Sequence, residues 1–177
     1  MTVQIAAPAP SFEAEAYIPG QPDPRRMALD DYRGSWIVLF FYPRDFTFVC
    51  PTELHAFAEL EAAFAEEDAS LIAASTDSYW SHKAWFESHP LLDGVAYPVL
   101  ADTAHDVARD YGVLLDDGSA LRATFVIDPD GVLRHMSVTD QNVGRSPDET
   151  LRVIQALRTG ALCPVSWRKG QPTLKAA

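Results

Sequence analysis

The sequence predicts an α/β fold in which helices pack against a mixed central sheet. Three observations carry that reading. Residues 36–42, Trp-Ile-Val-Leu-Phe-Phe-Tyr, form the most apolar run in the chain, the mark of a strand covered on both faces. A second apolar run, Ala-Ser-Leu-Ile-Ala-Ala-Ser, follows at 69–75. Between and after these runs the pattern alternates strand and helix, then closes with a hairpin and a final helix.

In chain order, residues 1–26 are rich in proline and alanine and predict an extended lead-in with one short strand at 11–16. Residues 29–34 lead into the strand at 36–42, which Pro43 stops because proline has no N–H to give to a ladder. After a loop at 44–49, Cys50 and Pro51 open a helix at about 51–66. Its Leu54, Phe57, Leu60 and Phe64 recur at helical spacing, with Glu53, Glu59, Glu61 and Glu66 between them. The second strand, 69–75, leads to a helix at 78–88 capped by Thr76 or Asp77. Trp80 and Trp85 lie on that helix as packing residues.

A loop at 90–98 precedes a short strand at 99–100. Asp102 caps a short helix that ends near Gly112. Strands at 123–128 and 132–138 are joined by Asp-Pro-Asp-Gly, which has type I turn chemistry. Ser146-Pro-Asp-Glu149 is a capping box with proline at the first helical position. The helix it starts presents Leu151, Ile154 and Leu157 on one face and closes at Gly160. Residues 161–177 read as a short mobile arm.

A chain of 177 residues, 47% hydrophobic, predicts one domain spanning 1–177. No run reaches the ~18 apolar residues of a membrane span, and no basic segment followed by an apolar stretch marks a signal peptide. A cytoplasmic location is expected. The formal net charge of −11 repels phosphate backbones, so nucleic acid is not an expected partner. The two cysteines, Cys50 and Cys163, are far apart and form no CxxC, which excludes a zinc site or a paired redox motif of that kind. No cofactor is expected.

The chemistry centres on Cys50. A helix start presents free N–H groups and partial positive charge, which stabilise an anion, and the thiolate is the reactive form of cysteine. Thr47, three residues earlier, offers a hydroxyl. Buried cysteine as plain apolar filler is the competing reading. His55 is five positions on and turned away from Cys50. His82, His89, His105 and His135 have no ligand spacing and read as ordinary polar sites.

Pro43-x-x-x-Thr47-x-x-Cys50, in FYPRDFTFVCPTE, resembles the active-site signature of the peroxiredoxins. It is most similar to that of the typical two-cysteine class, which includes the AhpC component of alkyl hydroperoxide reductase. The likeness continues at DSYWSHKAW (77–85), YPVLAD (97–102), ATFVIDPDGVLR (123–134), VGRSPDE (143–149) and LCPVSW (162–167). It implies a thioredoxin-like fold with peroxiredoxin additions. It implies a thiol peroxidase that reduces hydrogen peroxide and organic hydroperoxides, with Cys50 attacking peroxide and Pro43 shielding the thiol. Thr47 and the helix-start N–H groups would be donors.

Arg122, on its own merely an arginine before a strand, becomes by the same likeness the fixed cation of the site. Glu53 reads alone either as a favourable first-turn acid or as a carboxylate that needs a cation, and the likeness supplies Arg145 for it. Cys163, in the arm 160–177, becomes the resolving cysteine. In this class it comes from the other protomer of a homodimer, which assembles further into a ring. An external disulfide reductant is then required: a flavoprotein, thioredoxin or a lipoyl-linked protein.

The Gly-Gly-Leu-Gly segment of overoxidation-sensitive members is missing, with Leu91-Leu-Asp-Gly94 near its place, and no terminal Tyr-Phe helix follows Cys163. Two other functions compete. One is a non-enzymatic holdase or scaffold ring. The other is a general disulfide oxidoreductase, against which Glu53 stands where a CxxC would carry its second thiol.

Overall fold

The computed structural model describes residues 3–175. A seven-stranded mixed sheet organises it, in the order β2-β1-β5-β4-β3-β6-β7. The strands are β1 (Glu13–Tyr17), β2 (Arg25–Ala28), β3 (Trp36–Phe41), β4 (Ala69–Ser75), β5 (Val99–Ala101), β6 (Arg122–Ile127) and β7 (Leu133–Thr139). The helices are α1 (Cys50–Glu59), α2 (Glu61–Ala65), α3 (Tyr79–Ser88), α4 (Asp106–Asp110) and α5 (Pro147–Arg158). β3, β4 and β5 run parallel, and the other pairings are antiparallel.

The apolar run of β3 sits between β4 and β6 and is buried on both faces. Val38 and Phe40 face one core with Leu54, Phe57 and Ile154. Ile37, Leu39 and Phe41 face the other with Ile72, Phe125 and Tyr111. Alternate residues of one strand therefore anchor two cores, which is why the run shows no polar alternation. The Phe40 and Phe57 rings stack at 4.1 Å, and Tyr97 donates its hydroxyl to Leu54 O at 2.6 Å. These contacts fix the axis of α1 and so the direction in which its first residue faces.

The structure departs from the sequence expectations in several places. The strand expected at 11–16 forms at Glu13–Tyr17 and pairs with β2, which carries Arg25-Arg26 and lacks an apolar pattern. The single helix expected at 51–66 is two, because the backbone at Leu60 leaves helical geometry (φ −102°, ψ 3°). α3 is capped by Ser78, whose hydroxyl accepts from Ser81 N. Asp77 is occupied elsewhere, accepting from Asp45 N and Ser75 Oγ. Asp102 does accept from the start of α4, but from Val107 N and Ala108 N, with His105 at the cap position.

The expected turn forms, with Gly131 N donating to Asp128 O at 2.9 Å. So does the α5 cap, where Ser146 accepts from Glu149 N. The segment after Gly160 is docked rather than loose. Leu174 N donates to Leu162 O, Trp167 is buried, and its carbonyl accepts from Arg152 of α5. Lys169 pairs with the buried Glu67 carboxylate at 2.5 Å.

Candidate active site

Cys50 is the first residue of α1 and is fully buried. β3 ends one residue before Tyr42, Pro43 is buried, and the loop returns to start the helix at Cys50. The cap position is Val49, which has no side-chain oxygen to satisfy the first N–H groups. The thiol therefore sits in the field of an uncapped helix start. Thr47 is half-buried, and its hydroxyl donates to Arg44 O at 2.8 Å. With its proton so committed, Thr47 offers a neighbouring molecule lone pairs only. The expectation of Thr47 as a donor is corrected to an acceptor.

β6 delivers Arg122 from the neighbouring strand. Its Nη1 lies 3.4 Å from Cys50 Sγ and 2.5 Å from Glu53 Oε2, and its Nε donates to Gln141 O at 2.6 Å. Among the described residues Nη2 has no protein acceptor. Glu53, one turn into α1, is the shared counter-ion. Arg145 reaches it through its backbone N–H and its Nε, both at 2.9 Å from Oε1. Arg145 also donates to Phe41 O and Ala123 O, which ties the ends of β3 and β6 to α1. Its guanidinium lies 5.6 Å from the centre of the Phe40 ring.

Glu53, Arg122 and Arg145 are all nearly inaccessible to water. Burial pushes the Glu53 carboxyl upward, but its bonds to Arg145 and the charge of Arg122 outweigh that, and the group is held below the usual glutamate range. The six sequence candidates Pro43, Thr47, Cys50, Glu53, Arg122 and Arg145 thus lie on one loop, one helix start and two facing segments.

Cys163 lies elsewhere, with its sulfur 3.4 Å from Thr159 Oγ1 near the end of α5. The beginning of α5 adjoins Glu53 through Arg145. At 1.5 Å per residue, the 12 residues of α5 separate its ends by about 18 Å, well beyond the ~7 Å limit for Cα atoms of a disulfide. Both cysteines are free.

Sequence reasoning missed a supporting network. Asp45 is buried and accepts from Tyr42 Oη at 2.7 Å. Its other oxygen lies 2.8 Å from His82 Nδ1, and His82 Nε2 lies 3.2 Å from Leu100 O. His82, expected as an ordinary polar site, is thus wholly buried and paired with a carboxylate. The network pins the loop beside Phe46, which adopts a left-handed φ of 55° that a bulky residue holds only under constraint. No local signal pointed to this network, since Asp45 and His82 are 37 residues apart in sequence. Among the described residues no cluster of His, Cys, Asp and Glu could hold a metal ion. No helix of the described residues is long and apolar enough to cross a membrane.

Comparison with known proteins agrees with this arrangement. A model described as the AhpC/TSA family matches residues 5–136. The chain belongs to that family. It is 47% identical over 182 residues to peroxiredoxin tpx1 of Schizosaccharomyces pombe, covering 98% of this chain and 94% of the relative. It is 44% identical over 183 residues to a thioredoxin peroxidase of Echinococcus granulosus, covering 99% and 94%. The solved structure of reduced Plasmodium vivax 2-Cys peroxiredoxin superposes with a TM-score of 0.93 at 36% identity, covering 98% of this chain and 93% of that one. The fold is accordingly thioredoxin-like with the peroxiredoxin additions, and the family's chemistry is that of thiol peroxidases with an antioxidant function.

Glu53→Gln keeps the side-chain size but leaves Arg122 and Arg145 buried without a counter-charge. The loss should be about 3–5 kcal/mol in urea unfolding. Because the folded carboxyl is held low, its stabilisation is complete above the ordinary glutamate range and is lost as pH falls through the lowered value. Unfolding curves taken from neutral pH into acid should therefore fall less steeply for Glu53→Gln than for the wild type.

Proposed function

We propose that this thiol peroxidase uses Cys50 to reduce hydrogen peroxide and organic hydroperoxides, with Cys163 of a second protomer resolving the product. The observation that carries the reading is the Cys50 thiol beside the Arg122 fork, with Nη2 uncommitted. The Cys50 thiolate attacks the terminal peroxide oxygen. The O–O bond breaks, the sulfur becomes a sulfenic acid, and the second oxygen leaves with the electron pair and takes up a proton to become water or alcohol. Arg122 Nη2 and the free N–H groups at the start of α1 donate to the oxygens as charge moves onto the leaving one. Thr47, an acceptor, takes the hydrogen bond from the peroxide O–H and orients it. Pro43 limits water access, and Glu53 and Arg145 hold the Arg122 guanidinium in place.

The Cys163 thiol then displaces water from the sulfenic acid to form a disulfide. The helical separation of the two cysteines supports a bond between protomers. A homodimer is further supported by β7. It is the outer strand of the sheet, with Met136 and Val138 41% and 48% exposed, and such an edge calls for cover. Assembly of dimers into a ring, a cytoplasmic location and a single domain with an arm at 160–177 complete the reading. The reductant is an external dithiol protein. Thioredoxin is favoured by the thioredoxin peroxidase relative over a flavoprotein or lipoyl-linked partner.

The wild type should consume peroxide and Cys50→Ser should not. A wild type without turnover would leave only a holdase or scaffold role. Oxidised wild type should run as a dimer on a non-reducing denaturing gel. Cys163→Ser should lose that band while still consuming one equivalent of peroxide per protomer. An oxidised monomer with both thiols consumed would refute resolution between protomers.

Arg122→Lys keeps the charge but loses the fork, and should slow peroxide attack by roughly 10²–10³, the effect of losing one well-placed donor. Stopped-flow rates with hydrogen peroxide measure this.

Resistance to overoxidation is also expected. The chain has Leu91-Leu-Asp-Gly94 where sensitive members carry the Gly-Gly-Leu-Gly segment that holds their sites closed, so disulfide formation should outrun a second oxidation. Mass spectrometry after repeated turnover at submillimolar peroxide should find little sulfinic Cys50. A sulfinic mass within the first few turnovers would contradict it.

A further inference from the structure

We infer that Gln141 is a positioning residue for Arg122, the central member of a brace joining the two sides of the peroxide site. Arg122 has three committed contacts, and only one of them fixes the direction of its fork along the strand: Nε to Gln141 O at 2.6 Å. The other two, to Glu53 and Cys50, both run from Nη1 and hold only that nitrogen. The carbonyl of Gln141 therefore decides where the uncommitted Nη2 lies.

That carbonyl belongs to a loop between β7 and α5 and has no ladder to hold it. The Gln141 side chain holds it instead. Its Nε2 donates to Ser119 Oγ at 2.8 Å and to Ala120 O at 3.4 Å, and Ser119 and Ala120 are both fully buried. Both amide hydrogens are thereby used, one to a hydroxyl and one to a carbonyl that lies two residues before Arg122 itself. Leucine at 141 would keep the bulk of the side chain and lose both bonds.

The brace continues beyond Ser119. Ser119 Oγ accepts from Gln141, so its own proton is free to donate, and it does so to Asp117 Oδ1 at 2.5 Å. Asp117 also receives Arg44, through its carbonyl at 2.9 Å and its carboxylate at 3.4 Å. The Arg44 carbonyl is the acceptor that commits the Thr47 proton. One run of hydrogen bonds, Arg122–Gln141–Ser119–Asp117–Arg44–Thr47, thus connects the donor side of the site to the acceptor side. The turn at 115–118 that carries Asp117 is closed by Gly118 N donating to Leu115 O and Leu115 N donating to Ser119 O. Peroxide must meet Nη2 and Thr47 Oγ1 together, so a brace that fixes their separation sets the attack geometry. An error of about 1 Å in such a geometry costs up to about 10²-fold in rate.

The inference rests on Arg122 serving the peroxide, and the test separates the two claims. Gln141→Leu and Arg122→Lys are made singly and together, and each protein is assayed for Cys50 oxidation by hydrogen peroxide and for Cys50 alkylation by iodoacetamide at one pH. Alkylation uses the same sulfur but has no second oxygen for the fork to hold. Gln141→Leu should slow oxidation about tenfold while alkylation changes by less than about twofold. In the Arg122→Lys background it should cost nothing more, because it acts only through the fork.

Ser119→Ala, which removes one acceptor and leaves Gln141 in place, should give the same selective loss to a smaller extent. It serves as the second probe should leucine disturb the loop. Equal slowing of both reactions, an unchanged oxidation rate, or a full additional loss in the Arg122→Lys background would each overturn the role of Gln141. If Arg122→Lys alone oxidises at the wild-type rate, the reading of Arg122 fails first.

Discussion

The Glu53 carboxylate between Arg122 and Arg145 is the contact on which the rest of the site depends. Two cations are buried around one anion, so with a neutral thiol the cluster carries one surplus positive charge in a region shut off from water. The chain as a whole is strongly acidic, at −11, yet the local balance at the thiol is the reverse. Charges in a low-dielectric interior act on each other far more strongly than distant surface charges screened by salt. The local cluster, not the overall charge, therefore sets the field around the sulfur.

The same cluster is structural. Arg145 donates to the last carbonyl of β3 and to a carbonyl near the start of β6 while gripping Glu53 on α1. Three segments that carry Cys50, Arg122 and the loop before α5 are thereby locked at one point. A buried ion pair of this kind is weak evidence for added stability, but removing one partner is costly because the remaining charge is stranded. Site and fold are coupled through this carboxylate.

Much of the fold was legible from local pattern. β3 and β4 announced themselves as apolar runs, and the α5 start was written in Ser146-Pro-Asp-Glu149. β2 was not legible, because Arg25-Arg26 on an edge strand show no apolar alternation. The break at Leu60 was hidden by an amphipathic pattern that continues through both helices. Of the site, Cys50 and Thr47 could be read from their spacing on the loop and helix start. Arg122, Arg145 and Cys163 drew their roles only from family likeness, since nothing local separates them from surface residues. The Asp45–His82 pair and the Gln141 brace were not readable at all. Their partners are 37 and 22 residues apart and meet only once the sheet is assembled.

Val49 at the head of α1 has a wider consequence. Its backbone is already helical, Pro51 has no N–H, and Thr52 N and Glu53 N both donate to Val49 O, so a capping side chain at 49 would find little to bind. The first turn of this short helix, which ends at Leu60 after ten residues, is held by the Glu53 ion pairs rather than by a cap. The turn that carries Cys50 is accordingly only as firm as the grip of Arg122 and Arg145 on Glu53. Engineering for heat resistance by filling in helix caps would therefore gain little at this one position.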